Sequence, residues 1–280
     1  MRPPSAWRGS PLRAVDETLL PALRAEVAAA VREAGAIARR MAGATLKSWT
    51  KAHDSPVSEA DIAVDEFLRD RLAAILPGCG WLSEESHDDQ TRLAASLLWI
   101  VDPIDGTRAY LAGLADWSIS VALVRQGRPV VACIYAPVEE ALFAAAAGTG
   151  ACLNDSPIAA TPGAGLAGAR AAGPKPYLKT LTRIAPDLVS EPKVHSLALR
   201  LARVASGRLD IAFASTDSHD WDLAAADLLV HEAGGALTTL DGRVLTYNRT
   251  VPRHSALVAA GGERHAALVE LMQGQKHAFA

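Results

Sequence analysis

The run Leu97-Leu-Trp-Ile-Val101 ends abruptly at Asp102-Pro-Ile-Asp-Gly-Thr107, and this junction limits the fold more than any other stretch. Five apolar residues in a row suit a strand covered on both faces. Such a strand needs other elements above and below it, so the chain must be layered around a sheet. Pro103 has no N–H to give a neighbouring strand, and the strand is expected to end there. Gly106 permits a tight backbone turn. Thr107 then falls in the first turn of a short helix, whose free N–H groups and positive dipole end suit an anion. The strand is expected to deliver Asp102 and Asp105 beside that turn.

The remaining pattern supplies the covering layers. Residues 14–42 carry Leu, Val and Ile at helical spacing, with the helix proper expected after Pro21. A second helix is predicted from Ser58 to Leu76, with Ser58 as N-cap, Asp61 three residues on and Pro77-Gly78 as the stop. Ser118–Arg125, Pro129–Tyr135, Ala141–Ala146 and Ala151–Leu153 follow at turn-punctuated spacing and predict an antiparallel meander. After a Gly-, Ala- and Pro-rich patch, Thr161–Pro176, the rhythm changes. Strands near Ala169–Ala171, Asp210–Ala214, Gly235–Thr239 and Ala256–Ala260 alternate with helices near His195–Ser206, Trp221–Ala233 and Glu263–Met272. This is an α/β (α+β) fold of two stacked lobes, residues 1–155 and 156–280, with the strand order left open.

Length and composition agree with that reading. A chain of 280 residues accommodates two intimate lobes of roughly 100–150 residues each. It is 50% apolar and 21% charged, which fits a globular protein and excludes a disordered one. No window approaches the ~18 consecutive apolar residues of a membrane span. The N-terminal segment lacks the apolar centre of a secretory signal, so a cytoplasmic protein without membrane partners is expected. Cys79, Cys133 and Cys152 form no CxxC, so no disulfide framework or zinc site is indicated. A net charge of −3, a pI near 6.2 and the lack of a basic run argue against nucleic acid as a partner.

Carboxylates gather at element ends in four segments: Ser55–Asp61, Trp81–Ser86, Val101–Thr107 and Trp221-Asp222. Taken alone, Asp61 reads as the partner of Ser58 in a capping box, Asp222 as a helix-terminal carboxylate and Glu84-Glu85 as a solvated loop pair. Taken together they suit hard divalent cations, which prefer oxygen ligands. A two-metal phosphoryl-transfer site needs bridging carboxylates, since its ions sit roughly 3.5–4 Å apart.

The strings DPIDGT, LSEES, SPVSEAD and WDLAAADLLVHEAGG together resemble the inositol monophosphatase family, the lithium-sensitive, Mg²⁺-dependent phosphatases, over about residues 25–260. The resemblance implies a layered α/β/α/β/α sandwich. It implies that Glu84, Asp102 and the Ile104 carbonyl hold a first Mg²⁺, and Asp102, Asp105 and Asp222 a second. Asp61 and Thr107 would polarise the attacking water, with Asp61 near a third, water-bridged ion. The backbone of Gly106 and Thr107 would hold phosphate oxygens. The implied substrate is a small phosphate ester, and a homodimer is the expected assembly.

Two rival readings fare worse. A haloacid-dehalogenase-type phosphatase carries D-x-D-G-T, whereas Asp102 and Asp105 stand three apart. A non-catalytic regulatory protein on the same scaffold is opposed by the complete carboxylate set. Substrate signals are mixed. Arg108-Ala-Tyr110 replaces the Thr-Asn-Phe usual in inositol phosphatases, and Ser215 stands where they usually carry Glu. The SPVSEAD string is closer to bisphosphate nucleotidases and histidinol-phosphate phosphatases. A 3′(2′),5′-bisphosphate nucleotidase acting on adenosine 3′,5′-bisphosphate is therefore the first expectation, followed by inositol-1-monophosphatase and histidinol-phosphate phosphatase. Ser215 and its neighbours to Asp220, with Asp222, are expected at the leaving group. Arg108, or Lys175 in the Ala172–Pro176 loop, is expected to bind the distal phosphate.

Overall fold

The computed structural model describes residues 17–42, 48–50, 56–275 and 279. Residues 14–16 of the first predicted helix, the segment before them and Ser55 lie outside the described residues. A 3₁₀ turn, Glu17–Leu19, leads into α1 (Leu20–Met41), with Pro21 in the first turn, where a missing N–H has no helical partner to lose. The strands β1 (Ser48–Thr50) and β2 (Pro56–Ser58) pair antiparallel and lead to α2 (Glu59–Ile75).

A seven-stranded sheet follows in sequence order. Its strands are β3 (Gly80–Ser83), β4 (Leu97–Asp105), β5 (Ser118–Arg125), β6 (Arg128–Ala136), β7 (Ala141–Ala146), β8 (Ala151–Leu153) and β9 (Ser156–Ile158). Only β3 runs parallel to its neighbour, and the rest form the predicted meander. Helix α3 (Thr107–Leu111) sits between β4 and β5.

The second sheet uses β10 (Arg170–Ala172), β11 (Val189–Ser190), β12 (Ile211–Ala214), β14 (Gly235–Thr239) and β16 (Leu257–Gly261), in the order β11-β10-β12-β16-β14. A separate short pair joins β13 (Ser218–His219) to β15 (Arg253–His254). The helices here are α4 (Lys175–Ile184), α5 (Leu197–Ala205), α6 (Asp220–Glu232) and α7 (Gly262–Gly274).

Each central strand sorts its side chains between two cores, because successive residues point to opposite faces. On β4, Leu97, Trp99 and Val101 join the core under α1 and α2, while Leu98 and Ile100 face α5 and α6. On β12, Ala212 and Ala214 face α5 and α6, while Ile211 and Phe213 meet the outer core with residues of α4 and α7. The layers are thus α/β/α/β/α, as expected. The inner helix layer is lined by small residues (Ala122, Ala132, Ala145, Ala212, Ala224–Ala226) that let helices and sheets approach closely. No helix among the described residues is long and apolar enough to cross a membrane.

The structure departs from the sequence reading in two places that matter. The strand β4 does not stop at Pro103. The ladder passes from Asp102 opposite Ser120 to Asp105 opposite Ser118, so two residues of β4 bulge against one of β5. Pro103 interrupts the pairing without ending the extended backbone. The Ala172–Pro176 segment is not a free loop either. Lys175 and Pro176 open α4, with the proline in the first turn, where it is well tolerated.

Gly261 ends β16 against the 161 segment, and a Cβ there would collide with the Thr161 carbonyl oxygen. Gly261→Ala should lower the unfolding free energy by about 1–3 kcal/mol through overpacking. Urea denaturation reads this, and an unchanged midpoint with unchanged slope contradicts that close approach.

Candidate active site

The β4 bulge turns two carboxylates toward one cleft. Asp102 Oδ1 accepts the Ile104 N–H at 3.1 Å, while its Oδ2 is buried with no hydrogen-bond partner among the described residues. Asp105 Oδ2 accepts the Ser196 hydroxyl and the Ala198 N–H, each at 2.6 Å. Ser196 is the N-cap of α5, and its hydroxyl oxygen also accepts the Leu199 N–H at 2.9 Å. Asp105 therefore completes the cap of a helix from the other sheet's side of the core.

Asp222 stands in the first turn of α6 and accepts the His219 N–H at 2.7 Å. One ligand atom from each of Asp102, Asp105 and Asp222 lies within 4.8 Å of the others. Glu84 reaches the same cleft from the end of β3. Its loop is pinned by Asp65 of α2, which accepts the hydroxyls of Ser83 and of Ser86, the latter at 2.8 Å.

A second cluster borders these acids. Asp61 Oδ2 accepts the Ser58 N–H at 2.8 Å and the Ser58 hydroxyl at 2.6 Å, so the capping box read from sequence exists. Its other oxygen, Oδ1, lies 3.1 Å from the Thr107 hydroxyl, which is also 3.0 Å from the Ile104 carbonyl. The structural and the chemical reading of Asp61 thus hold together, one on each oxygen. Gly106 adopts φ +94°, and a Cβ there would meet the Ser196 N at 3.2 Å, so both conformation and close approach favour glycine.

The acids dominate the electrostatics of the cleft. Burial, then the charges of Glu84, Asp105, Asp222 and Asp61, push the Asp102 carboxyl well above its usual range. Burial and Asp105 do the same to Asp222. Burial also raises Asp105 and Asp61, against their hydrogen bonds. Arg200, half-buried, is the cation whose charge acts on Asp105 and Asp222. Arg108 and Lys193 also line the cleft, yet three cations do not balance the five acids Asp61, Glu84, Asp102, Asp105 and Asp222, and Asp102 Oδ2 has no donor among the described residues. An all-oxygen set with an unpartnered carboxylate oxygen fits hard divalent cations.

The cleft has a volume of about 340 Å³. Of the residues singled out in the sequence, Glu84, Asp102, Asp105, Gly106, Thr107, Arg108 and Asp222 line it. Asp61 and Ile104 are buried and touch Thr107. Lys175 and Ser215 are exposed and are not among its lining residues. Pro56, Lys193 and His195 line it without having been expected. No spacing rule marks the last two, which lie in an irregular strap before α5. Ser196 was readable in principle, as a serine just ahead of an apolar helical pattern.

Comparison with known proteins follows the same lines. The model of the inositol monophosphatase family matches residues 19–277. An inositol-1-monophosphatase of Rhizobium meliloti is 36% identical over 195 residues, which span 66% of this chain and 73% of that protein. A histidinol-phosphatase of Mycobacterium tuberculosis is 36% identical over 214 residues, spanning 72% of this chain and 81% of that protein. Among solved structures, the extragenic suppressor protein suhB from Bartonella henselae matches with a TM-score of 0.79 at 28% identity, covering 90% of this chain and 98% of its own.

A carboxylate whose pKa is raised on folding weakens the fold as pH climbs above its unfolded value of about 4. The cation-free protein should therefore lose stability between pH 5 and 8, and Mg²⁺ should restore more of it at pH 8 than at pH 5. Asp102→Asn removes one of the repelling charges. It should raise the melting temperature of the cation-free protein at pH 8 and shrink the Mg²⁺-dependent increment. Calorimetric melting with chelator or Mg²⁺ reads both, and an Asp102→Asn protein with a full increment contradicts the assignment.

Proposed function

This chain belongs to the inositol monophosphatase family, whose members are phosphoric monoester hydrolases, and from that premise we propose that it hydrolyses a small phosphate monoester by direct attack of water. The observation that carries the reading is the convergence of Asp102, Asp105 and Asp222 beside the Thr107–Asp61 pair, with Asp102 Oδ2 unpartnered. Glu84, Asp102 and the Ile104 carbonyl would hold one Mg²⁺, and Asp102, Asp105 and Asp222 another. Bound there, Mg²⁺ supplies Lewis-acid stabilisation of the phosphoryl oxygens and lowers the pKa of water.

The chain's own groups do the rest. Thr107 Oγ1 donates a hydrogen bond to Asp61 Oδ1 and so turns a lone pair toward the attacking water; as the water attacks, its proton passes to Thr107 Oγ1 while the hydroxyl proton moves to Asp61 Oδ1. Asp61 is suited to receive that proton because burial raises its carboxyl. Ser58 holds the opposite oxygen of Asp61 with two donors and keeps Oδ1 directed at Thr107. The backbone N–H groups of Gly106 and Thr107, at the start of α3, hold phosphate oxygens. Asp105 is kept in place by α5, so the two sides of the core set the width of the site.

Inositol 1-phosphate takes first place as substrate, with histidinol phosphate next. The relatives quoted are named for these two activities. The adenosine 3′,5′-bisphosphate expectation came from the SPVSEAD string and from Ser215, and neither relative quoted carries that activity in its name; of the two cations expected at the distal phosphate, Arg108 lines the cleft and Lys175 does not. A phosphate-release screen over the three esters with Mg²⁺ tests the order. Adenosine 3′,5′-bisphosphate preferred tenfold or more over inositol 1-phosphate would reverse it.

Two variants test the chemistry. Asp102→Asn should lower kcat/KM at least 10³-fold, the scale of a lost electrostatic group of ~4 kcal/mol. Thr107→Ala should lower kcat by about 10²- to 10⁴-fold, the usual worth of positioned proton transfer, with little change in the Mg²⁺ concentration for half-activity. A Thr107→Ala enzyme with normal kcat contradicts the proton path.

A further inference from the structure

His195 enters the cleft from the strap ahead of α5, with its side chain 29% exposed. Its position is fixed twice by one atom. Asp116 Oδ2 accepts the His195 backbone N–H at 2.7 Å and meets the ring Nδ1 at 2.7 Å. Asp116 is itself tied to the site, since its carbonyl accepts the Ser196 N–H at 3.1 Å next to the cap that holds Asp105. His195 holds the Asp116 carboxyl below its usual range against the effect of burial. An ionised oxygen that accepts two hydrogen bonds requires the proton on Nδ1. In the neutral ring with its proton on Nδ1, Nε2 carries a lone pair. It makes no hydrogen bond to the described residues, and the ring lines the same cleft as Asp105, Thr107 and Asp222.

We propose that His195, held in this tautomer by Asp116, is a specificity-determining contact whose Nε2 accepts a hydrogen bond from the leaving alcohol. The inference rests on the phosphomonoesterase reading and narrows it. The favoured esters carry a hydroxyl or ammonium donor near the ester carbon, and alcohols without one are discriminated against. Lys193, two residues earlier on the strap, offers only donors and cannot take this role. Asp116 does not line this cleft, so it acts through His195 as a positioning residue.

Glycerol 2-phosphate and isopropyl phosphate share a carbon skeleton and differ in two hydroxyls, so they isolate this contact. The readout is the ratio of kcat/KM for the first over the second, at saturating Mg²⁺. In His195→Ala the ratio should fall about tenfold relative to wild type. In Asp116→Asn, which frees the ring to flip and change tautomer, it should fall by at least threefold. His195→Gln should keep the ratio within threefold of wild type, because the glutamine amide can return an acceptor to the position of Nε2. A ratio unchanged in His195→Ala overturns the inference, whether or not both rates fall. A wild type that releases phosphate from neither ester, nor from inositol 1-phosphate or histidinol phosphate, fails the phosphatase reading instead. The contact is then judged by nuclear magnetic resonance of the His195 ring with Mg²⁺ present. A shift on adding glycerol 2-phosphate but not isopropyl phosphate supports it, and equal or no shifts overturn it.

Discussion

The structure depends on a repulsion that the fold imposes on itself. Asp102, Asp105 and Asp222 present ligand atoms within 4.8 Å of one another, Asp102 and Asp105 almost wholly shielded from water. Like charges that close raise each other's proton affinity and oppose folding. What keeps them together is backbone. Each is tied by a main-chain N–H: Ile104 for Asp102, Ala198 for Asp105, His219 for Asp222. The unpaired oxygen of Asp102 marks where the balancing positive charge belongs.

Three helix starts supply this geometry. Asp61 lies in the first turn of α2, Asp222 in that of α6, and Asp105 completes the cap of α5. A helix N-terminus stabilises a nearby carboxylate through free N–H groups and its dipole. The same interaction that starts each helix therefore aims a carboxylate at the site. The β4 bulge does the corresponding work for the strand. It lets two acids three residues apart reach one cleft, which a regular pleat would send to opposite faces.

Much of this was legible in the residues. The apolar run before DPIDGT foretold a strand covered on both faces, and the turn-punctuated runs after it foretold the meander. Asp61, Glu84, Asp102, Asp105 and Asp222 were legible as a set because charge next to a strand end or helix start is conspicuous, and Thr107 because it follows the turn at Gly106. The strand order of the second sheet was not, because β10, β12, β14 and β16 are short, Ala-rich and alike in pattern. Helix α4 was missed because a proline near its start reads equally well as a loop. Lys193 and His195 were invisible for a different reason. They sit on an irregular strap, and only the packing of α5 against the β4 bulge brings that strap to the cleft.

The central claim is that these carboxylates are a cation site before they are anything else. Crystals soaked in Mn²⁺, a divalent ion with the same preference for oxygen ligands and a usable anomalous signal, test it most directly. Anomalous peaks are expected within coordination distance of Asp102, one shared with Glu84 and one with Asp105 and Asp222. Anomalous density that leaves Asp102 without a metal, or that settles only at surface acids, would contradict it.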